Sequence, residues 1–120
     1  MNNPYFTFKK KKSSKYHNKK TLIDGIIFDS KHEAERYREL KILLNAGEIS
    51  DLCLQVPFEL VPPVKLENES FRAVKYVADF VYRDKSGLQI VEDAKGMKTD
   101  VYKIKKKLMA YIHHIIIKEV

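Results

Sequence analysis

Apolar residues follow two rhythms along the chain, one of period two and one of period near 3.6. Thr21-Leu-Ile-Asp-Gly-Ile-Ile-Phe28 is a pair of short apolar runs split by Asp24-Gly25. That dipeptide suits a type I′ hairpin turn, whose two central residues both take positive φ. Ser30-Lys-His-Glu33 then has the form of a capping box, with the serine bonding forward and the glutamate reaching back. Ala34, Tyr37, Leu40, Leu43 and Leu44 continue at helical spacing to a stop at Ala46-Gly47, which predicts a helix over 30–46. Ile49–Leu60 is rich in strand formers, and Pro57 places it at an edge or a bend. Val61–Ser70 reads as a loop, Arg72–Arg83 as a long strand and Leu88–Ala94 as another. Lys98–Tyr111 predicts a second helix with Tyr102, Ile104, Leu108 and Tyr111 inward, and His114–Val120 a final strand. Short turns between neighbouring strands imply antiparallel pairs, and the strand–helix–strand end implies a parallel crossover. The expected architecture is α/β: a central mixed sheet flanked by helices, preceded by a short hairpin.

Charge divides the chain. Of 23 Lys and Arg residues, seven (Lys9, Lys10, Lys11, Lys12, Lys15, Lys19 and Lys20) fall in residues 1–20, which hold no acid. The other hundred residues balance 16 basic against 16 acidic side chains, so the whole net charge of +7 sits in the first twenty. Residues 1–20 are therefore expected to be a flexible basic arm and residues 21–120 a single domain. Tyr5, Phe6, Phe8 and Tyr16 lie among the lysines, a mixture suited to phosphate contact and base stacking as well as to a solvated tail. With 44% hydrophobic residues the chain can bury a core, which excludes wholesale disorder. A single cysteine, Cys53, gives neither an intramolecular disulfide nor a zinc constellation. No apolar run has the length of a membrane span, and the basic N-terminus lacks a signal-peptide core. The expectation is an intracellular protein without a membrane partner.

Candidate chemistry lies in Tyr76-Val-Ala-Asp79-Phe-Val-Tyr82 and Ile90-Val-Glu-Asp93-Ala-Lys95-Gly96. Alternation along a strand puts Asp93 and Lys95 on one face. Asp84-Lys-Ser-Gly87 fits a three-residue hairpin loop with Gly87 left-handed, which pairs Asp84 with Leu88, Val81 with Val91 and Asp79 with Asp93. A two-residue turn would set Glu92 opposite Asp79 instead; the glycine position favours the first register. Asp79, Asp93 and Lys95 then converge among Val77, Val81 and Val91. Adjacent carboxylates repel unless a cation lies between them, and Mg²⁺ is commonly held by one or two carboxylates plus substrate oxygens. The same pattern also suits an interstrand carboxylate–lysine pair with no chemical role.

Asp79 followed by Asp93-Ala94-Lys95 resembles the PD-(D/E)XK phosphodiesterase signature of restriction-endonuclease-like nucleases, although Ala78 stands where the signature has proline. The α-β-β-β-α-β order is similar to the core of that superfamily. Four stretches resemble, more closely, a family of small uncharacterised phage proteins assigned to it: Asn18–Thr21, Asp24–Lys31, Glu33–Tyr37 with Leu40, and Val91–Gly96. The resemblance covers about residues 16–120. It implies a Mg²⁺-dependent (or Mn²⁺-dependent) DNA endonuclease acting on branched or junction DNA in the host cytoplasm. It implies Asp79 and Asp93 as metal ligands, Lys95 as the residue that positions or activates water, and Glu33 as a third acid, a role that competes with helix capping. Gln55 would border the site, and Glu92 would either back up Asp93 or face away. Lys103 and Lys107, four apart on the second helix, suit a DNA backbone or a solvated face. A homodimer is compatible with cutting two strands, but no interface is legible. The alternative from a different class is a non-catalytic DNA-binding protein on the same fold, with structural acids.

Overall fold

A computed structural model describes residues 20–120. Lys9, Lys10, Lys11, Lys12, Lys15 and Lys19 of the expected arm lie outside the described residues; Lys20 is half-buried at their edge. The chain begins with the hairpin β1 (Thr21–Ile23) and β2 (Ile26–Phe28), whose turn residues Asp24 and Gly25 have φ of 52° and 75°. Helix α1 (Lys31–Asn45) follows, with Ser30 as N-cap accepting a hydrogen bond from the Glu33 amide at 3.1 Å. Tyr37 donates to Asp24 Oδ2 at 3.0 Å and ties the helix to the hairpin turn.

The long strand β3 (Ile49–Val61) leads into a small hairpin, β4 (Val64–Leu66) and β5 (Glu69–Phe71), and then into β6 (Val74–Asp84) and β7 (Gln89–Asp93). Helix α2 (Asp100–His113) crosses to β8 (Lys118–Glu119). The main sheet has the order β3-β6-β7-β8, antiparallel except for the parallel β7–β8 pair that the crossover makes. The protein is a mixed α/β fold with a central mixed sheet flanked by helices. Pro57 lies on β3, an edge strand, where a missing amide donor is tolerated.

Two buried clusters hold the sheet between the helices. Phe28, Ala34, Tyr37, Leu40, Ile49, Leu54, Phe80 and Tyr82 form the α1 core. Leu60, Tyr76, Ala78, Val81, Val91, Tyr102, Met109 and Ile117 form the α2 core. Adjacent residues Val81 and Tyr82 go to different cores, as the two faces of a strand require. Each fully buried large apolar side chain contributes about 1.5–3 kcal/mol.

Several expectations need correction. The segment 61–70 is not simply a loop: it contains β4 and the start of β5, and all six residues of that hairpin are exposed. Cross-strand hydrogen bonds rather than burial hold it, so hydrophobic patterning gave little warning. Helix α2 is rotated from the expected inner face: Tyr102 and Leu108 do pack on the core, but Ile104 and Tyr111 do not. Tyr102 and Met109 are buried, whereas Ile104 is 60% and Tyr111 79% exposed. Polar attachments set this rotation, because Tyr102 and Lys106 both reach Glu119. The final strand shrinks to two residues, because His114 caps α2 in the left-handed conformation and β7 ends at Asp93. Val77, expected beside Val81 and Val91, is exposed. Even-numbered residues of β6 change allegiance at Asp79: Tyr76 and Ala78 pack in the α2 core, Phe80 and Tyr82 in the α1 core. The simple alternation assumed for Val77 does not run through that point.

Candidate active site

The turn between β6 and β7 sets the register on which everything at the site depends. Gly87 has φ of 88°, and its amide donates to the Asp84 carbonyl at 2.9 Å. The Asp84 carboxylate takes hydrogen bonds from the Ser86 hydroxyl and from the Ser86 and Leu88 amides, which hold it below the usual carboxylate range. Val81 pairs with Val91 and Phe80 with Glu92, so continuing the ladder brings Asp79 opposite Asp93. This is the register of the three-residue loop.

Asp79 is held on both sides. Its Oδ2 accepts from the Ala94 amide at 2.8 Å, and its Oδ1 accepts from Gln55 Nε2 at 3.3 Å. Gln55 Nε2 also donates to Glu33 Oε1 at 3.3 Å, so Glu33, from the first turn of α1, joins the cluster through Gln55. Gln55 sits between Leu54 and Val56, which pair with Phe80 and Ala78, and so faces Asp79 across the β3–β6 ladder. Its φ is 54°, a left-handed conformation that costs a non-glycine residue of order 1–3 kcal/mol and is found most often at functional positions. Burial, and next the charge of Asp93, push the Asp79 carboxyl up to about 6.

Asp93 is 2% exposed. Its Oδ2 accepts from the Tyr76 hydroxyl at 2.6 Å, while its Oδ1 is buried without a hydrogen-bond partner. Lys95 Nζ lies 3.8 Å from that oxygen, close enough for ion pairing but beyond a hydrogen bond. The same ammonium stands 5.0 Å from the centre of the Tyr102 ring, a cation–π arrangement. Tyr102 in turn donates to Glu119 Oε2 at 2.7 Å, and Lys98 and Lys106 each approach Glu119 Oε1 at 3.1 Å. The Tyr102 bond, followed by the Lys98 contact, draws the Glu119 carboxyl down to about 2. Sequence alone does not mark Tyr76, Tyr102 or Glu119 as site residues. Tyr102 was read as core, and only the strand register and the crossover bring it to Lys95.

Glu92 turns away from this cluster. It is fully buried and takes a two-pronged bond from Arg36 of α1, Nε to Oε1 at 2.8 Å and the second terminal nitrogen to Oε2 at 2.7 Å. Tyr82 also donates to Oε2, and Lys118 Nζ lies 3.9 Å from it. The Glu92 contact raises the Arg36 guanidinium further above its already high value. Glu92 therefore anchors α1 to the sheet. Lys103 and Lys107 are exposed on α2.

The donor set of the cluster is hard oxygen. A buried carboxylate oxygen without a hydrogen bond, beside a second carboxylate whose proton affinity is raised, suits a small divalent cation. Asp79 and Asp93 are the residues that would hold it. Among the described residues, no group of three or more His, Cys, Asp or Glu side chains is placed to hold a metal ion. Mg²⁺ does not require one, since water and substrate oxygens complete its shell. No helix among the described residues is long and apolar enough to cross a membrane.

Fold and cluster together define a mixed α/β protein with paired aspartates, one in the middle of β6 and one at the end of β7, and a lysine just beyond the second. Residues 13–118 match the family described as Protein of unknown function (DUF1064), and the chain belongs to that family. No curated protein and no solved structure matches it.

Proposed function

We propose that this protein is a Mg²⁺-dependent DNA endonuclease with a restriction-endonuclease-like core, acting on branched or junction DNA in phage DNA metabolism. The observation that carries the reading is the convergence of Asp79, Asp93 and Lys95, with Asp93 Oδ1 buried and free of hydrogen bonds. The PD-(D/E)XK resemblance of Asp79 and Asp93-Ala-Lys95 supplies the reaction class. Preference for a DNA structure over a DNA sequence rests on that resemblance and on the lack of a legible base-reading element.

In the reaction, a water oxygen forms a new bond to phosphorus and the ester oxygen of the cut strand leaves. The proton lost by the water is balanced by the one the leaving oxygen acquires. A cation bound at the site would supply a lowered pKa for water and an offset to charge on the phosphate. Asp79 and Asp93 would hold that cation, with Asp79 fixed by the Ala94 amide and Gln55. Lys95 orients the attacking water or meets the charge that builds on phosphorus oxygens, the kind of fixed-charge stabilisation that dominates many active sites. Glu33 acts on Asp79 through Gln55. The arm lysines, with Lys103 and Lys107, contact the DNA backbone.

One observation favours a second reading, a DNA-binding protein with structural acids: no three metal-ligating side chains cluster among the described residues. The two readings part in a cleavage assay with and without Mg²⁺ on duplex, nicked, flapped and four-way DNA. The nuclease cuts only with metal, and Asp93→Asn and Lys95→Ala abolish cutting while retaining binding. Binding without cutting on every substrate, indifferent to Mg²⁺, establishes the second reading and rejects the first.

A further inference from the structure

We propose that Tyr76 is a positioning residue for the metal-binding carboxylate of Asp93, an inference that rests on the metal site proposed above. The two oxygens of Asp93 are treated unequally. Oδ2 receives the Tyr76 hydroxyl at 2.6 Å, and Oδ1 receives no hydrogen bond although it is buried. A carboxylate that served only as an acceptor for a buried tyrosine would not need its other oxygen left bare. Leaving a buried polar atom unsatisfied forfeits its hydration without return. Lys95 Nζ, the cation paired with Oδ1, is 3.8 Å away, too far for a hydrogen bond.

The unequal treatment has a mechanical consequence. A carboxylate turns readily about its last side-chain bond, whose rotamer well is broad. A donor fixed on one oxygen removes that freedom and determines which oxygen is presented. Tyr76 is well placed for this: it is 3% exposed, and its ring packs in the α2 core 6.5 Å from that of Tyr102. The fixed rings of the core therefore set where Oδ1 points. Partners of this kind, one bond removed from a metal, typically change affinity by about 10–100-fold when lost.

The test uses the full chain and Mn²⁺ alone as probe, followed by calorimetric titration or by the electron-spin signal of the free ion. Tyr76→Phe removes one oxygen and keeps the ring, with folding checked by its thermal melt. Its dissociation constant for Mn²⁺ is expected to rise about tenfold or more. In DNA cutting, the Mg²⁺ concentration giving half-maximal rate rises by a similar factor, while the rate at saturating Mg²⁺ stays close to that of the parent protein. A merely structural role would lower the melting temperature and leave that concentration unchanged. Tyr76→Leu, which packs differently and also lacks the hydroxyl, must show the same metal loss. Tyr102→Phe, whose lost hydroxyl faces Glu119, must show little. Parent and Tyr76→Phe proteins that bind Mn²⁺ equally overturn this inference and leave the nuclease reading standing. A parent protein that neither binds Mn²⁺ nor cuts DNA overturns both.

Discussion

Asp79 bears an electrostatic load that the metal-free protein does not relieve. Its carboxyl is raised from 3.8 to about 6, first by burial and then by Asp93, with the Ala94 amide and Lys95 opposing. A raised folded-state value means that the folded protein binds this proton more tightly than the unfolded chain does. The associated stability is fully present below about pH 4 and is lost as pH rises through about 6. At pH 8, then, ionised Asp79 destabilises the metal-free fold relative to a neutral amide. Asp79→Asn is expected to raise the melting temperature at pH 8 by a few degrees and to change it little at pH 4, read by thermal melts in chelator. Mg²⁺ should stabilise the parent protein at pH 8 and not the variant. Equal shifts at both pH values would show that Asp79 carries no such load. Glu92 shows the opposite use of a buried acid. Arg36, Tyr82 and Lys118 surround it, and removing one partner from a buried pair of this kind typically costs about 3–5 kcal/mol. The two neighbours Glu92 and Asp93 have the same chemistry in sequence; the strand's alternation and the position of Arg36 assign one to the scaffold and one to the site.

At the scale of elements, what local residues determine was legible in the sequence, and what distant contacts determine was not. Asp24-Gly25, the Ser30 cap and Gly87 each fix a local backbone conformation with their own chemistry, and each turn or cap lies where the sequence predicts it. The site register followed from Gly87, so the convergence of Asp79 and Asp93 was legible too. The rotation of α2 was not. Tyr102, Ile104, Leu108 and Tyr111 suggest one inner face; Tyr102 and Leu108 do pack inward, but Met109 takes the place of Ile104 and Tyr111, which are exposed. Tyr76 and Tyr102 reach the site only through that packing. Because the turn holds Gly87 in the left-handed conformation, its replacement tests what that conformation contributes. A Cβ at Gly87 would meet nothing within 4 Å, so the cost of Gly87→Ala is conformational alone. A left-handed non-glycine residue costs roughly 1–2 kcal/mol. Urea denaturation should show that loss, while the Asp84 bonds to Ser86 and Leu88 preserve the register and hence the cutting rate of the folded fraction. No loss of stability would mean that the turn does not depend on the left-handed residue.

At the scale of the whole molecule, the proposed nuclease would separate attraction from chemistry. All seven of its excess positive charges lie in residues 1–20, and the remaining hundred residues are balanced. The paired aspartates would repel a DNA strand approaching the site, so binding strength has to come from elsewhere. The lysine-rich segment can supply it, because each phosphate neutralised releases condensed counterions and steepens the dependence of affinity on salt by about 0.9 in logarithmic slope. Deleting residues 1–15 removes five lysines, Lys9, Lys10, Lys11, Lys12 and Lys15. If all five contact phosphate, the slope of log affinity against log salt falls by about 4–5, and by proportionately less if fewer do. Affinity at low salt falls with it, while the cutting rate at saturating DNA is retained, because Asp79, Asp93 and Lys95 all lie in the remaining domain. Fluorescence anisotropy on a labelled duplex between low and physiological salt measures the slope, and a single-turnover assay measures the rate. An unchanged slope would remove residues 1–15 from DNA binding and leave Lys19, Lys20, Lys103 and Lys107 as the remaining named backbone contacts. A retained slope with a lost cutting rate would place the segment in the chemistry instead.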